Sequence, residues 1–199
     1  GRGLIWQRMR DGYGNSIPIY HAGQKPDEAE ISRRIDTYWH PYHDKLNALI
    51  ENRRNRFGII YHINWHSYPR TKDLAWGNIS NYPHFILGSL HGKSCEPALV
   101  HHIRNFLENK GYCVGTNMLY PGAELTRRYS DPHDNRHSLQ IEIARDLYMD
   151  PYTLEPHSGM HTTARTIREL SQMLAEYAVR QSPHLRYNQR HSPSGPGPV

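Results

Sequence analysis

Hydrophobic positions along the 199-residue chain change period several times, and each change marks a predicted element. Residues 1–26 are rich in Gly, Pro and Tyr with little periodicity, and read as loop with short extended pieces. Asp27, with Glu30 three residues on, predicts an N-cap and its capping-box partner. The helix that follows carries Ile31, Ile35 and Tyr38 on one face. Pro41 predicts a kink or break near Trp39 and His40, because proline lacks the N–H that the previous turn needs. The helical pattern resumes through Tyr42, Leu46, Leu49 and Ile50 and stops at Gly58.

Residues 59–63 are apolar and β-rich and predict a strand buried on at least one face. Asn64, Trp65, His66 and Ser67 read as a polar turn beyond its carboxyl end, the place where open α/β sheets bind ligands. After a long polar loop, Phe85–Leu87 predicts a short strand, Glu96–Asn109 an amphipathic helix ended by Gly111, and Tyr112–Val114 a third strand. Residues 117–136 read as a loop dense in Pro, Gly, Asp and Arg. In His137–Ile143, Leu139, Ile141 and Ile143 alternate with Gln140 and Glu142, which predicts a strand with one apolar and one polar face. Thr162–Val179 predicts a last amphipathic helix. The order of elements predicts an α/β fold: a mixed, mostly parallel sheet with helices on both faces. Residues 1–180 are expected to form one domain, and the Pro/Gly/Ser-rich residues 181–199 a disordered tail.

Composition narrows the function classes. The chain is polar, with a mean hydropathy of −0.82. Hydrophobic residues are still 37%, with four Trp and 14 Tyr, enough to close a core. No apolar run approaches the roughly 20 residues of a membrane-spanning helix. The net charge is +5. The densest basic run, Arg53-Arg54-Asn55-Arg56, sits where a helix should end and suits the helix dipole, so a nucleic-acid partner is disfavoured. The only cysteines, Cys95 and Cys113, have no zinc-ribbon spacing, and a reduced, cytoplasmic setting is the expectation. Fifteen histidines point towards metal chemistry, although most, including His21, read as surface residues. The pairs in His40–His43 and His133–His137 have metal-like spacing but fall at a proline kink and in a turn.

Two side chains stand out as chemistry. An imidazole at His66 could ligate a metal through one nitrogen while a neighbour holds the other, or be a hydrogen-bonded structural histidine. Glu142, on the polar face of a strand, is either the partner of Arg145 in an ion pair or a general base with a raised pKa. The loop Asn117–Glu124, followed by Arg127 and Arg128, could present a guanidinium to a substrate carboxylate.

Taken in order, several stretches resemble the N-formylglutamate amidohydrolase family. They are GRGLIW at 1–6, AEISRRIDTYWHPYHDKL, the strand ending in HSYP, GKSC at 92–95, NMLYPGAELTRRYSDP, and HSLQIEIARDLYMD. The resemblance covers about residues 1–149. It implies a zinc carboxypeptidase-like (phosphorylase/hydrolase-like) fold and a zinc hydrolase that cleaves N-formylglutamate to formate and glutamate. On that resemblance His66 matches a zinc ligand and Glu142 the carboxylate that activates water. Asn117, Tyr120, Arg128 and Gln140 match the substrate pocket, and Asn64 and Arg145 stand behind the ligand and the base. The partner implied is a small acyl-amino-acid substrate; the oligomeric state is left open.

The chain departs from the family pattern in places. Asn64 replaces an Asp, Trp65 a small residue, and Pro121 and Ser130 family loop residues. A site of this kind needs three protein ligands. The family's other two, and an Asn–Arg pair for the substrate carboxylate, come earlier than anything here. No His in the chain is followed three residues later by Glu or Asp. The chain opens Gly1-Arg2-Gly3-Leu4 without Met, so the expectation is the later part of a larger zinc hydrolase, with the other ligands upstream of Gly1. A catalytically silent relative that binds a small carboxylate or a protein partner is the alternative, and a basic nucleic-acid binding domain the third reading.

Overall fold

The computed structural model describes residues 4–10, 15–70 and 82–185. Contacts divide the chain into two units, residues 1–49 and 50–199. In the first, β1 (Arg8–Arg10) and β2 (Ser16–Pro18) pair antiparallel with Met9 opposite Ile17. The Oδ1 of Asp27 accepts the Glu30 amide at 2.8 Å and caps α1 (Glu28–Arg34) as expected. Glu30 does not close a capping box: its carboxylate takes Arg33 Nε at 2.6 Å and Arg34 Nε at 2.7 Å, and these partners hold its pKa at about 2. The break expected before Pro41 takes the form of a π-helical turn, Ile35–Trp39, after which α2 (His40–Phe57) begins. The wider turn lies where proline removes a helical donor. Gly58, at φ +74°, ends α2 in the left-handed conformation that glycine adopts without strain.

The second unit is built on a four-stranded sheet in the order β3 (Ile60–Tyr68), β6 (Arg136–Ala144), β4 (Phe85–Gly88), β5 (Val114–Thr116). The β3–β6 and β4–β5 pairs are parallel and the β4–β6 pair antiparallel, so the sheet is mixed. One face is apolar. Phe85, Leu87, Leu139, Ile141 and Ile143 lie under α3 (Pro97–Glu108) and α5 (Gly159–Gln181), packed on Leu99, Ile103, Leu107, Leu170 and Leu174. On the other face lie the loop from Asn117 and the short α4 (Glu124–Arg128).

Several boundaries differ from the sequence reading. The third strand starts at Val114, because the Tyr112 amide still bonds the Leu107 carbonyl at the end of α3. Helix α4 lies inside the stretch read as loop. Of the expected tail, Gln181 still belongs to α5, and residues 182–185 are tied down. Ser182 Oγ donates to the Phe57 carbonyl at 2.7 Å, and His184 Nδ1 lies 3.0 Å from the Arg56 carbonyl. Residues 186–199 lie outside the described residues. Among the described residues no helix is long and apolar enough to cross a membrane.

Candidate active site

The largest correction concerns His66. Strand β3 does not stop at Ile63 but runs to Tyr68, so Asn64 and His66 are strand residues, not turn residues. Their backbone is paired throughout with β6: Asn64 with Gln140, His66 with Glu142, Tyr68 with Ala144. Residues in direct register share a face of the sheet. Polar residues can therefore continue the strand, because the face they occupy is not the apolar core. The same register adds His62 beside Ser138, with His62 Nδ1 2.9 Å from Ser138 Oγ. The polar face thus carries three successive pairs: His62 with Ser138, Asn64 with Gln140, His66 with Glu142. Sequence reasoning missed His62 and Ser138, although the period of two through residues 62, 64 and 66 was the signal for them.

Glu142 is only 4% exposed and Gln140 3%. Gln140 Nε2 donates to Glu142 Oε1 at 2.9 Å, and Glu142 Oε2 is buried with no hydrogen-bond partner. Burial raises the Glu142 pKa, against the smaller opposing pulls of the Gln140 bond and the Arg145 charge. Arg145 acts on Glu142 through space only: its Nε donates to Ser67 Oγ at 3.3 Å instead of forming the ion pair considered from sequence. Asn64 Nδ2 is a second buried polar atom without a partner on this face, a donor where Glu142 Oε2 is an acceptor. His66 is exposed at the edge, and partial desolvation of its ring lowers its pKa, which favours the neutral imidazole that a metal needs.

The loop over this face is held in place by backbone geometry. Gly88 pairs with Gln140 and puts no side chain on the polar face. A Cβ there would lie 2.6 Å from the Tyr120 carbonyl oxygen and 2.9 Å from the Gly122 nitrogen, so only glycine lets the loop lie against the sheet. Asn117, at φ +55°, takes the Ser89 amide at 2.8 Å and the His91 amide at 3.2 Å on its Oδ1, and donates to Ser89 Oγ at 3.1 Å. Its side chain thus holds the loop to the turn after β4. The Tyr120 ring packs 5.5 Å from Tyr68, and its hydroxyl pKa is raised by burial first and then by the Glu142 charge. Arg128 is further out, on α4, with its Nη2 2.7 Å from Glu124 Oε1.

The structure therefore brings His66, Glu142, Gln140, Asn64 and Tyr120 to one face, and leaves Arg128 exposed on α4, paired with Glu124. The arrangement offers an imidazole whose pKa desolvation lowers and a buried carboxylate with one unpartnered oxygen, suited to taking a proton from water. It does not offer a complete metal set: among the described residues no three His, Cys, Asp or Glu side chains stand close enough together to hold an ion. The residues described do not fit a zinc ion on their own.

A family model for N-formylglutamate amidohydrolases matches residues 1–149. Two N-formylglutamate deformylases are similar to this chain: that of Pseudomonas putida, 28% identical over 81% of the chain, and that of Pseudomonas aeruginosa, 29% identical over 79%. The crystal structure of N-formylglutamate amidohydrolase from Ralstonia eutropha JMP134 is similar at 39% identity and a TM-score of 0.71, over 76% of the chain. The matches span 61% and 59% of the two Pseudomonas enzymes and 56% of the Ralstonia chain.

Proposed function

The chain belongs to the N-formylglutamate amidohydrolase family, and on that premise we propose that it carries the general-base part of a site that hydrolyses N-formyl-L-glutamate to formate and L-glutamate. The observation that supports this most is the Glu142 carboxylate: buried, raised in pKa, with one oxygen held by Gln140 and the other unpartnered beneath the substrate loop. In the reaction, Glu142 takes a proton from water as the water oxygen adds to the formyl carbon. The C–N bond then breaks, and the same proton passes to the leaving nitrogen. Tyr120, whose ring packs on Tyr68 over the same face, is the proposed lining of the substrate site. Arg128, on α4, is the proposed partner of a substrate carboxylate, exchanging Glu124 for it. Asn117 acts through the loop it holds.

The cofactor of this reading is zinc, with His66 as one of its ligands and the others outside the described residues. The two cysteines are free, Cys95 buried and Cys113 exposed, which supports a reducing, cytoplasmic setting. The test is formate release from N-formyl-L-glutamate by the zinc-supplemented protein. Parent activity lost in Glu142→Gln supports the reading; activity unchanged in that variant overturns it. A second reading, a silent relative that binds a small carboxylate, draws on the missing three-ligand set. It predicts N-formyl-L-glutamate binding by calorimetry with no formate released.

A further inference from the structure

Gln140 lies on the substrate-facing side of β6 and matches a family pocket residue, so a substrate contact is the obvious role for it. Its hydrogen bonds assign it another. A side-chain amide has two N–H donors and one carbonyl acceptor. Gln140 Nε2 donates to Glu142 Oε1 at 2.9 Å, and Gln140 Oε1 accepts the Ala123 backbone amide at 2.9 Å. The orientation of the amide is set by both neighbours at once. Turned over, it would put its carbonyl oxygen against the carboxylate and its N–H against the Ala123 N–H, losing both bonds. The side chain is 3% exposed, so it has almost no surface left for a ligand.

We propose that Gln140 is a positioning residue: it fixes the Glu142 carboxylate by one oxygen, turns the other towards the reacting water, and ties that orientation to the loop over the site. The proposal rests on the reading of Glu142 as the base. The terminal torsion of a glutamate is broad and has no strong well of its own, so without a partner the carboxylate plane would be free to turn. The bond to Oε1 removes that freedom and leaves Oε2 as the oxygen without a partner. At the other end, the Ala123 amide lies just before α4, where amides lack helical partners. Gly88 lets this stretch lie on the sheet, so the amide reaches Gln140. A shift of the loop would thus move the Ala123 amide, then Gln140, then the plane of the base. Asn64, the register neighbour of Gln140, leaves its own Nδ2 buried and unpartnered on the same face.

The test compares the parent protein with Gln140→Met, which keeps the length and removes both hydrogen bonds, in two backgrounds. With native Glu142, kcat for formate release should fall about 10- to 100-fold while KM stays within about twofold, as for a group displaced but not removed. In the Glu142→Gln background the same substitution should change kcat by less than about twofold, because a residue that acts through Glu142 has nothing left to act on. Calorimetric Kd for N-formyl-L-glutamate, measured in that background, should also stay within about twofold. A weakened Kd, an unchanged kcat with native Glu142, or an equal loss in both backgrounds overturns the proposal and leaves the catalytic reading standing. If the parent releases no formate, or Glu142→Gln is as active as the parent, both fall together. Should Gln140→Met fail to fold, Gln140→Asn, which keeps the amide one methylene short of Glu142, is held to the same outcomes.

Discussion

Strand β6 faces two environments. On one side Leu139, Ile141 and Ile143 lie in a layer of aliphatic and aromatic side chains under α3 and α5. On the other, Ser138, Gln140 and Glu142 are buried just as deeply, among hydrogen bonds and under a loop rather than a long helix. Equal burial therefore has opposite meanings. On the apolar face it is the source of stability, since each side chain removed from water adds to folding. On the polar face it opposes stability, since Glu142 keeps an oxygen without a partner and Asn64 a donor without one. The proposed site thus lies on the face where folding gains least, and the apolar face offsets the cost.

The contrast can be broken from either side. The largest effect on folding belongs to the apolar face: Leu139→Ala should lower unfolding free energy by about 2–5 kcal/mol, read from denaturant midpoints. A change near the 0.5 kcal/mol typical of surface substitutions would mean the apolar layer is not the source of stability. Next comes Gly88→Ala, whose new Cβ meets the backbone of residues 120–122. We expect a loss of about 1–3 kcal/mol, together with lost formate release, because the loop must lift away from Gln140.

A smaller effect of opposite sign is expected at Glu142. Its pKa is raised on folding, so the folded state is penalised for ionising it. The contribution of this group is most favourable at low pH, below its unfolded pKa, and is lost as pH rises through the higher folded value. Thermal unfolding of Glu142→Gln should therefore match the parent at acid pH and exceed it at neutral pH, by about 1 kcal/mol. A variant less stable than the parent at neutral pH would show that the carboxylate is a structural partner. The smallest effect is on α4, where Arg128→Gln breaks an exposed pair with Glu124. Unfolding free energy should move by less than about 0.5 kcal/mol while KM for N-formyl-L-glutamate rises.

Much of this contrast was legible in the chain. The alternation of Leu139, Ile141 and Ile143 with Gln140 and Glu142 predicts both faces of β6, and the structure has them. The same period at His62, Asn64 and His66 was hidden, because Asn, His and Ser together read as a turn; only the register with β6 shows that they pair as a strand. Helix α4 was obscured for a different reason: five residues with their charges paired internally give no apolar stripe. The role of Asn117 depends on a left-handed backbone and three bonds to residues 89 and 91, which no local pattern encodes. Gly88 directly follows the strand predicted at Phe85–Leu87, and the reason for a glycine there lies 32–34 residues later, in a loop that needs the space.

The central claim is that the polar face of β6 exists for chemistry, with Glu142 at its centre. Formate release from N-formyl-L-glutamate, compared at neutral pH between the zinc-supplemented parent protein and Glu142→Gln, tests it most directly. The account predicts a loss of about 10²- to 10⁴-fold in kcat in a variant that is folded and at least as stable. Equal rates from the two proteins would contradict it.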